Sequence, residues 1–403
     1  MKVNLAKYNA FIVCLYLNFF IFSTILVKFD INLQFINMLL LPIYFLPLIL
    51  KILDKDIGEK KISKKLTFIL LYFIIIFLNL FYYIFTDYFS VNFYYIMYSL
   101  RVVYLGTLKI SLENFKKYLK YYLIIHLGVL IYVIVDKELY EKMRLDYMSF
   151  GYDCLFVTLC FAYFYKDTLK IKYLILLILG NILLFMFGSR FTLFLGGLGT
   201  LIFLYNSKKK WIRFLIYIGI LALPVVYLNL GNILRNLIIL LNSYNISIES
   251  IERLSDSLNT FKSGGGILAE RLIWYSETFE IIKENPIFGT GILGYNGKIS
   301  TMLYNGDGTF YPHNIFLEIL LHFGMMGFLA FLIIVVSIIR KIHYSKKNGK
   351  KLDSIELTFF IMSMGLLVSS SYLRNAWFYL TLLIPFNKSY YYYVNKNLKN
   401  NKE

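Results

Sequence analysis

The feature that most constrains this chain is a succession of apolar runs, each roughly 16–25 residues long, enough for a helix to cross about 30 Å of hydrocarbon. Such a segment has to satisfy its backbone hydrogen bonds internally, which a helix does and a lone strand does not. A transmembrane barrel would show short strands of alternating polarity, and the sequence reads otherwise. Composition agrees, at 59% hydrophobic, 19% aromatic and only 16% charged residues. The expectation is an all-α, polytopic integral membrane protein of about 12 transmembrane helices.

The net charge of +18 would suit a nucleic-acid binder, but its distribution does not. The segments assigned to the cytoplasm hold 29 Lys/Arg against 8 Asp/Glu, and the remaining segments hold 13 against 16. That asymmetry is the positive-inside signal of membrane topology. A nucleic-acid site would need a basic patch on a soluble domain, and no soluble domain is expected. Cys14, Cys154 and Cys160 fall in separate apolar runs, as small buried hydrophobes rather than a disulfide or metal framework.

Taken in order, the expected spans are 8–27, 31–50, 66–86, 91–107, 121–135, 150–165, 173–187, 191–206 and 212–229, then 313–338, 355–373 and 376–394. The first run precedes further spans and lacks a small-residue cleavage site, so it reads as a retained helix. Both ends of the chain are expected inside. The chain thus divides into residues 1–229 with nine spans, a large external loop at 230–312, and residues 313–403 with three spans and a cytoplasmic tail. A loop of that length in a compact fold is usually functional. Residues 230–242 are apolar enough to lie in the interface. Residues 267–284 form an expected helix, with Leu268, Leu272, Tyr275, Phe279 and Ile282 on one stripe. Asn285-Pro286 ends it, and Gly289, Gly291, Gly294 and Gly297 permit a tight, folded-back turn. Small residues at Gly196, Gly197 and Gly199 would allow helices to approach closely.

The candidate chemistry gathers on the external side. Arg190 sits in a three-residue hairpin, where it is either a snorkelling arginine or an anion ligand. Arg271 lies near Trp274 between Glu270 and Glu277, as a surface ion pair or a second anion ligand. Together two guanidinium groups can fork onto a pyrophosphate. His313 starts a span after Pro312, with Asn314 beside it, and serves there as a cap or as a base near neutral pH. Asn314, Glu318 and His322 share a helix face, although His322 and the cytoplasmic His343 are expected to matter little to the chemistry. Arg101, His126 and Asp153 read as an internal polar network, although an ionisable group inside a span is a functional candidate by default. Asp54-Lys55-Asp56 matches the D-x-D pattern of metal-dependent glycosyltransferases but lies in a solvated lysine-rich loop, and it is set aside.

At Arg271, Asn285-Pro286, Phe288-Gly289-Thr290-Gly291, His313-Asn314, Leu317-Glu318 and Gly324 with Gly327, the sequence resembles the bacterial O-antigen ligase and polysaccharide polymerase family. Ser189-Arg190 matches that pattern too. The resemblance implies a GT-C-type membrane glycosyltransferase, metal-independent, inverting and without a cofactor. Its donor would be an oligosaccharide on undecaprenyl pyrophosphate. It implies His313, Arg271 and Arg190 as catalytic residues, and Asn314, Glu318, Trp274, Gly289 and Gly291 as substrate-binding ones. Its expected partners are the lipid bilayer, a chain-length regulator and a flippase, with no nucleic acid. Its place is the bacterial cytoplasmic membrane, active site facing outward.

Between branches of the family, the expectation is a polymerase, the more varied and numerous branch, joining repeat units into O-antigen or capsular polysaccharide. The alternative is a ligase that transfers glycan to a lipid A core. A different class, a flippase for lipid-linked oligosaccharides, would need polar groups lining a path through the spans. Here they concentrate in one external loop and its flanks, and no internal repeat marks a transporter of duplicated halves.

Overall fold

The computed structural model describes residues 5–31, 89–143, 147–205, 267–292, 311–347 and 354–384, with scattered positions between 42 and 46 and between 213 and 243. Among the described residues every regular element is helical. In chain order these are α1 (Leu5–Leu17), α2 (Phe19–Lys28), α3 (Phe89–Thr107), α4 (Leu112–Val135), α5 (Lys137–Lys142) and α6 (Tyr147–Thr168). Then come α7 (Ile171–Phe187), α8 (Arg190–Tyr205), α9 (Ile267–Glu284), α10 (Ile315–Lys347), α11 (Ser354–Ser363) and α12 (Ala376–Leu382). Two 3₁₀ turns, Met364–Leu367 and Tyr372–Arg374, lie between α11 and α12. The expected spans at 31–50, 66–86 and 212–229, the interfacial segment at 230–242 and Asp54-Asp56 lie outside the continuously described stretches.

Among the described residues three helices, α4, α6 and α10, are long and apolar enough to cross a bilayer, or four spans if α1 and α2 form one bent by 60°. Burial sets α6 at the centre. Of its spanning window 78% is buried, against 33% for α4 and 22% for α10. Small residues let α7 and α8 close on it. Gly180 faces Thr158, Gly199 faces Leu159, and Gly196 faces Leu184 across α7 and α8. Gly197, the third glycine of the α8 group, has open space beside it. The outer surface is apolar: Ile124, Ile125 and Ile131 on α4 and Ile175, Ile178 and Ile182 on α7 point away from the protein. That arrangement fits a solvent of lipid tails.

Polar contacts sort the helix ends into two faces. Lys28 meets Asp136 at 3.3 Å and Lys142 meets Asp30 at 3.1 Å, joining α2 to the α4–α6 connection. At the other ends, Ser111 N donates to Ala6 O and Lys116 approaches Asp167 at 3.9 Å. Residues expected outside thus meet one another, as do residues expected inside.

Besides the bent run at 8–27, two expected spans are not continuous helices. The one at 355–373 is α11 followed by the first 3₁₀ turn, a bend over 368–370 and the start of the second 3₁₀ turn. Tyr152 crowds Gly365 at that point, and Ser370 takes a φ of 64. The one at 313–338 begins as a helix at Ile315 and is broken at Gly324, with φ 60 and ψ −164. A break orphans helical N–H and C=O groups, and these need partners. The turn after α9 supplies them. Met325 N donates to Pro286 O at 2.8 Å and Met326 N to Ile287 O at 3.1 Å. In return Thr290 N donates to Leu321 O and Gly291 N to His322 O, both at 2.8 Å.

That turn fixes how α9 runs. Trp274 stacks on His313, Ile282 packs in one cluster with Leu321, and Pro286 bonds to Met325. The same sequence offset separates each pair, so α9 descends in parallel with the first turns of α10. Only part of its apolar stripe faces α10, at Ile282 against Leu321. Leu272 and Phe279 are exposed, while Trp274 is half-buried and Thr278, Ile281 and Ile282 are buried. Lipid reverses the sense of an amphipathic helix, because the face that meets the tails is the apolar one.

Candidate active site

His313 lies two residues before α10. Its φ of 51 is in the left-handed region, uncommon for a residue with a side chain and often found at functional sites. Its ring is held between two aromatics. The Trp274 ring stacks on one face, with centroids 5.0 Å apart and planes 21° apart. Tyr311 lies 4.3 Å away at a tilt of 49°. Nδ1 is buried with no hydrogen-bond partner among the described residues, which leaves Nε2 as the ring nitrogen open to a substrate. Burial, then the nearby Arg271 guanidinium, push the imidazole from the ordinary 6.5 down to about 4. The ring is therefore neutral at pH 7, the form that can accept a proton.

Arg271 is half-buried one turn before Trp274 on α9, so helical spacing alone brings guanidinium and indole to one side. Asn314 begins α10. Its Oδ1 accepts from Phe316 N at 3.0 Å and Leu317 N at 3.3 Å, the geometry of a helix cap. Its amide nitrogen has no partner among the described residues.

Arg190 is the exposed first residue of α8. Ser189 Oγ accepts from Thr192 N at 3.2 Å and so caps that helix. The hairpin presses on the outer end of α6, where a side chain at Gly151 would come within 2.9 Å of Thr192 Oγ1. Tyr152, the next residue, bonds Ser369 at 2.7 Å and lies close enough to Tyr311 for the two phenols to interact electrostatically. The Arg190 hairpin and Tyr152 thus lie on the side of α6 near Tyr311, whose ring packs on His313 and Trp274.

Glu318, one turn into α10, is 1% exposed. Its carboxylate accepts from the Ser371 hydroxyl and from Tyr372 N, the latter at 3.3 Å. Arg374 lies near enough to act on it electrostatically. One turn further, fully buried His322 pairs its Nδ1 with the Tyr372 hydroxyl at 2.7 Å. The face shared by Asn314, Glu318 and His322 is thus the one that receives the Ser371–Arg374 turn. His322, expected to matter little, is a packing anchor. Gly289 and Gly291, at φ 73 and 78, lie in the turn that fills the α10 break, with the N–H of Gly291 spent on His322 O.

Sequence reading missed Tyr152, Tyr311, Ser371, Tyr372 and Arg374. A signal existed for the last three: a serine run and an arginine interrupt the apolar stretch at 369–374. Of the internal polar residues, His126 and Asp153 do meet, with Nε2 and Oδ1 3.7 Å apart, and Asn18 Oδ1 takes the other ring nitrogen at 3.1 Å. Arg101 instead lies among the rings of Tyr16, Tyr44 and Tyr98 at 5.4–5.7 Å.

Residues 156–332 match the model of a protein family described as O-antigen ligase. The matched stretch starts within α6, ends within α10, and takes in Arg190, Arg271 and His313. No curated protein and no solved structure matches the chain.

Proposed function

We propose, from a chain that carries an O-antigen ligase-family domain over residues 156–332, that it is a glycosyltransferase of the GT-C type with about 12 spans. Its donor is an oligosaccharide on undecaprenyl pyrophosphate, and it works at the outer face of the bacterial cytoplasmic membrane. The observation that carries the reading is the His313 ring stacked on Trp274, with Arg271 one turn from Trp274 on the same helix.

The chemistry follows from what such a pair can do. An acceptor sugar hydroxyl attacks the anomeric carbon of the donor from the side opposite the pyrophosphate. The new C–O bond forms as the bond to the phosphate oxygen breaks, so the anomeric centre inverts. The hydroxyl proton passes to Nε2 of His313. The electron pair leaves with the lipid pyrophosphate, whose growing negative charge is met by Arg271 and Arg190. No metal or cofactor has a part in these steps. Trp274 fixes the orientation of the His313 ring by stacking on it, and the Asn314 amide nitrogen is placed for a sugar hydroxyl.

In the polymerase reading, the acceptor is a second lipid-linked unit, with a flippase supplying units and a chain-length regulator governing the product. In the ligase reading the acceptor is a lipid A core, and the family match is compatible with either reading. Purified protein in vesicles, given lipid-linked units alone, separates them. Chain growth supports the polymerase, and growth only after lipid A core is added supports the ligase. His313→Ala should lower either rate by roughly 10²–10⁴-fold. EDTA should leave it intact. Wild-type rates from His313→Ala, or a strict Mg²⁺ requirement, would overturn the mechanism. Translocation of the units without new glycosidic bonds would make the protein a transporter.

A further inference from the structure

The break in α10 and the turn after α9 fit together as two halves of one fastening. Gly289 and Gly324 both have positive φ, at 73 and 60. A Cβ on Gly289 would lie 2.5 Å from Gly324 N and 2.6 Å from His322 O. A Cβ on Gly324 would lie 2.5 Å from Gly289 N. Neither position admits a side chain, because backbone meets backbone there. Thr290 adds a side-chain bond, Oγ1 to Leu321 O at 3.1 Å, beside the four backbone bonds that close the break.

The fastening lies at one end of the α9–α10 contact and the His313–Arg271 pair at the other. Among the described residues the two helices also share stacked Trp274 and a small cluster of Ile281, Ile282 and Leu321, joined by partly buried Leu320. We propose that Gly289, Thr290 and Gly324 are positioning residues, whose clasp fixes the register of α9 on α10 and thereby holds Arg271 beside His313. The glycines do not touch substrate in this role. They act through the placement of the two helices. This inference rests on the roles proposed above for Arg271 and His313.

The position of Arg271 has its own reporter, because its guanidinium depresses the titration of His313. Tyr311 and Trp274, the other side chains packed on that ring, carry no charge at neutral pH. The chain has four histidines, so ring-labelled full-length protein in lipid nanodiscs gives four titrating signals, with His313→Gln assigning one. In wild type the His313 signal should titrate well below about 6.5. In Gly289→Ala and Gly324→Ala it should move up toward that value, while glycan transfer falls on the order of 10²-fold, as for a misplaced catalytic group. In an Arg271→Ala background, Gly289→Ala should move it no further. Gly128→Ala, on an open face of α4, should change neither reading. If an alanine variant fails to insert, Thr290→Val removes only the side-chain bond and should give a smaller shift of the same sign. An unmoved His313 titration in the inserted variants would overturn the proposal. Absence of glycan transfer in wild type would overturn the proposed function instead and leave the titration to judge the clasp.

Discussion

His313 gathers three unusual conditions in one residue: a left-handed backbone, a ring between two aromatics, and a buried Nδ1 without a hydrogen-bond partner among the described residues. Its lowered pKa has a direct consequence for rate. The neutral base is present above the folded-state value and is lost as pH falls through it. An ordinary histidine would lose activity below about 6.5, whereas here the acid limb of kcat/KM should lie near pH 4. Arg271→Gln deletes the smaller of the two depressing causes, so its residual activity should show a limb at higher pH, still below the ordinary value because burial remains. A limb at the same pH in both proteins would mean that the guanidinium does not act on the ring. The arginines themselves should not tolerate lysine. Lysine keeps the charge but loses the planar fork, and loss of one such donor typically costs roughly 10²–10³-fold in rate. Chain length of the glycan from Arg190→Lys and Arg271→Lys, at matched membrane abundance, measures this.

At the level of elements, the connection between α11 and α12 depends on α10. Glu318→Ala would strip acceptors from the Ser371 hydroxyl and from Tyr372 N, both buried. Leaving such groups unsatisfied costs about 1–3 kcal/mol each. The melting temperature of Glu318→Ala should therefore fall, while Glu318→Gln, which keeps one acceptor oxygen, should fall less. Equal melting temperatures for wild type and Glu318→Ala would place that carboxylate outside the packing. This dependence was only half legible in the sequence. Spacing put Asn314, Glu318 and His322 on one face, and Asn-Pro ended α9 at the residue where the helix stops. What the face meets depends on a contact with residues more than fifty positions away, which periodicity cannot reveal. The Gly324 break hid for a related reason. A glycine in an apolar run reads as close helix packing until the turn that fills the gap is seen. The direction of the α9 stripe was hidden because exposed Leu272 means opposite things in water and in lipid.

For the whole molecule, the two sets of helix ends make a topological claim. Residues 230–312 should be external and both termini cytoplasmic. A cysteine placed at Asn305 should react with an impermeant reagent applied to intact cells. Reaction only after permeabilisation would move the site to the cytoplasm. The turn that plugs α10 carries Ile287 and Phe288 at its tip, 56% and 76% exposed, beside Met325 and Met326. An exposed apolar tip at the level of the α10 break is suited to acyl tails, and the vertical position of the turn would then be shared between protein and lipid. Helices adjust to a hydrocarbon layer of the wrong thickness by tilting or kinking, and a helix already broken at Gly324 yields first there. Turnover in vesicles should therefore peak at one acyl-chain length and fall on either side of it. Phe288→Ser should flatten that dependence. The membrane would then set the pace of the reaction as well as holding the machinery that performs it.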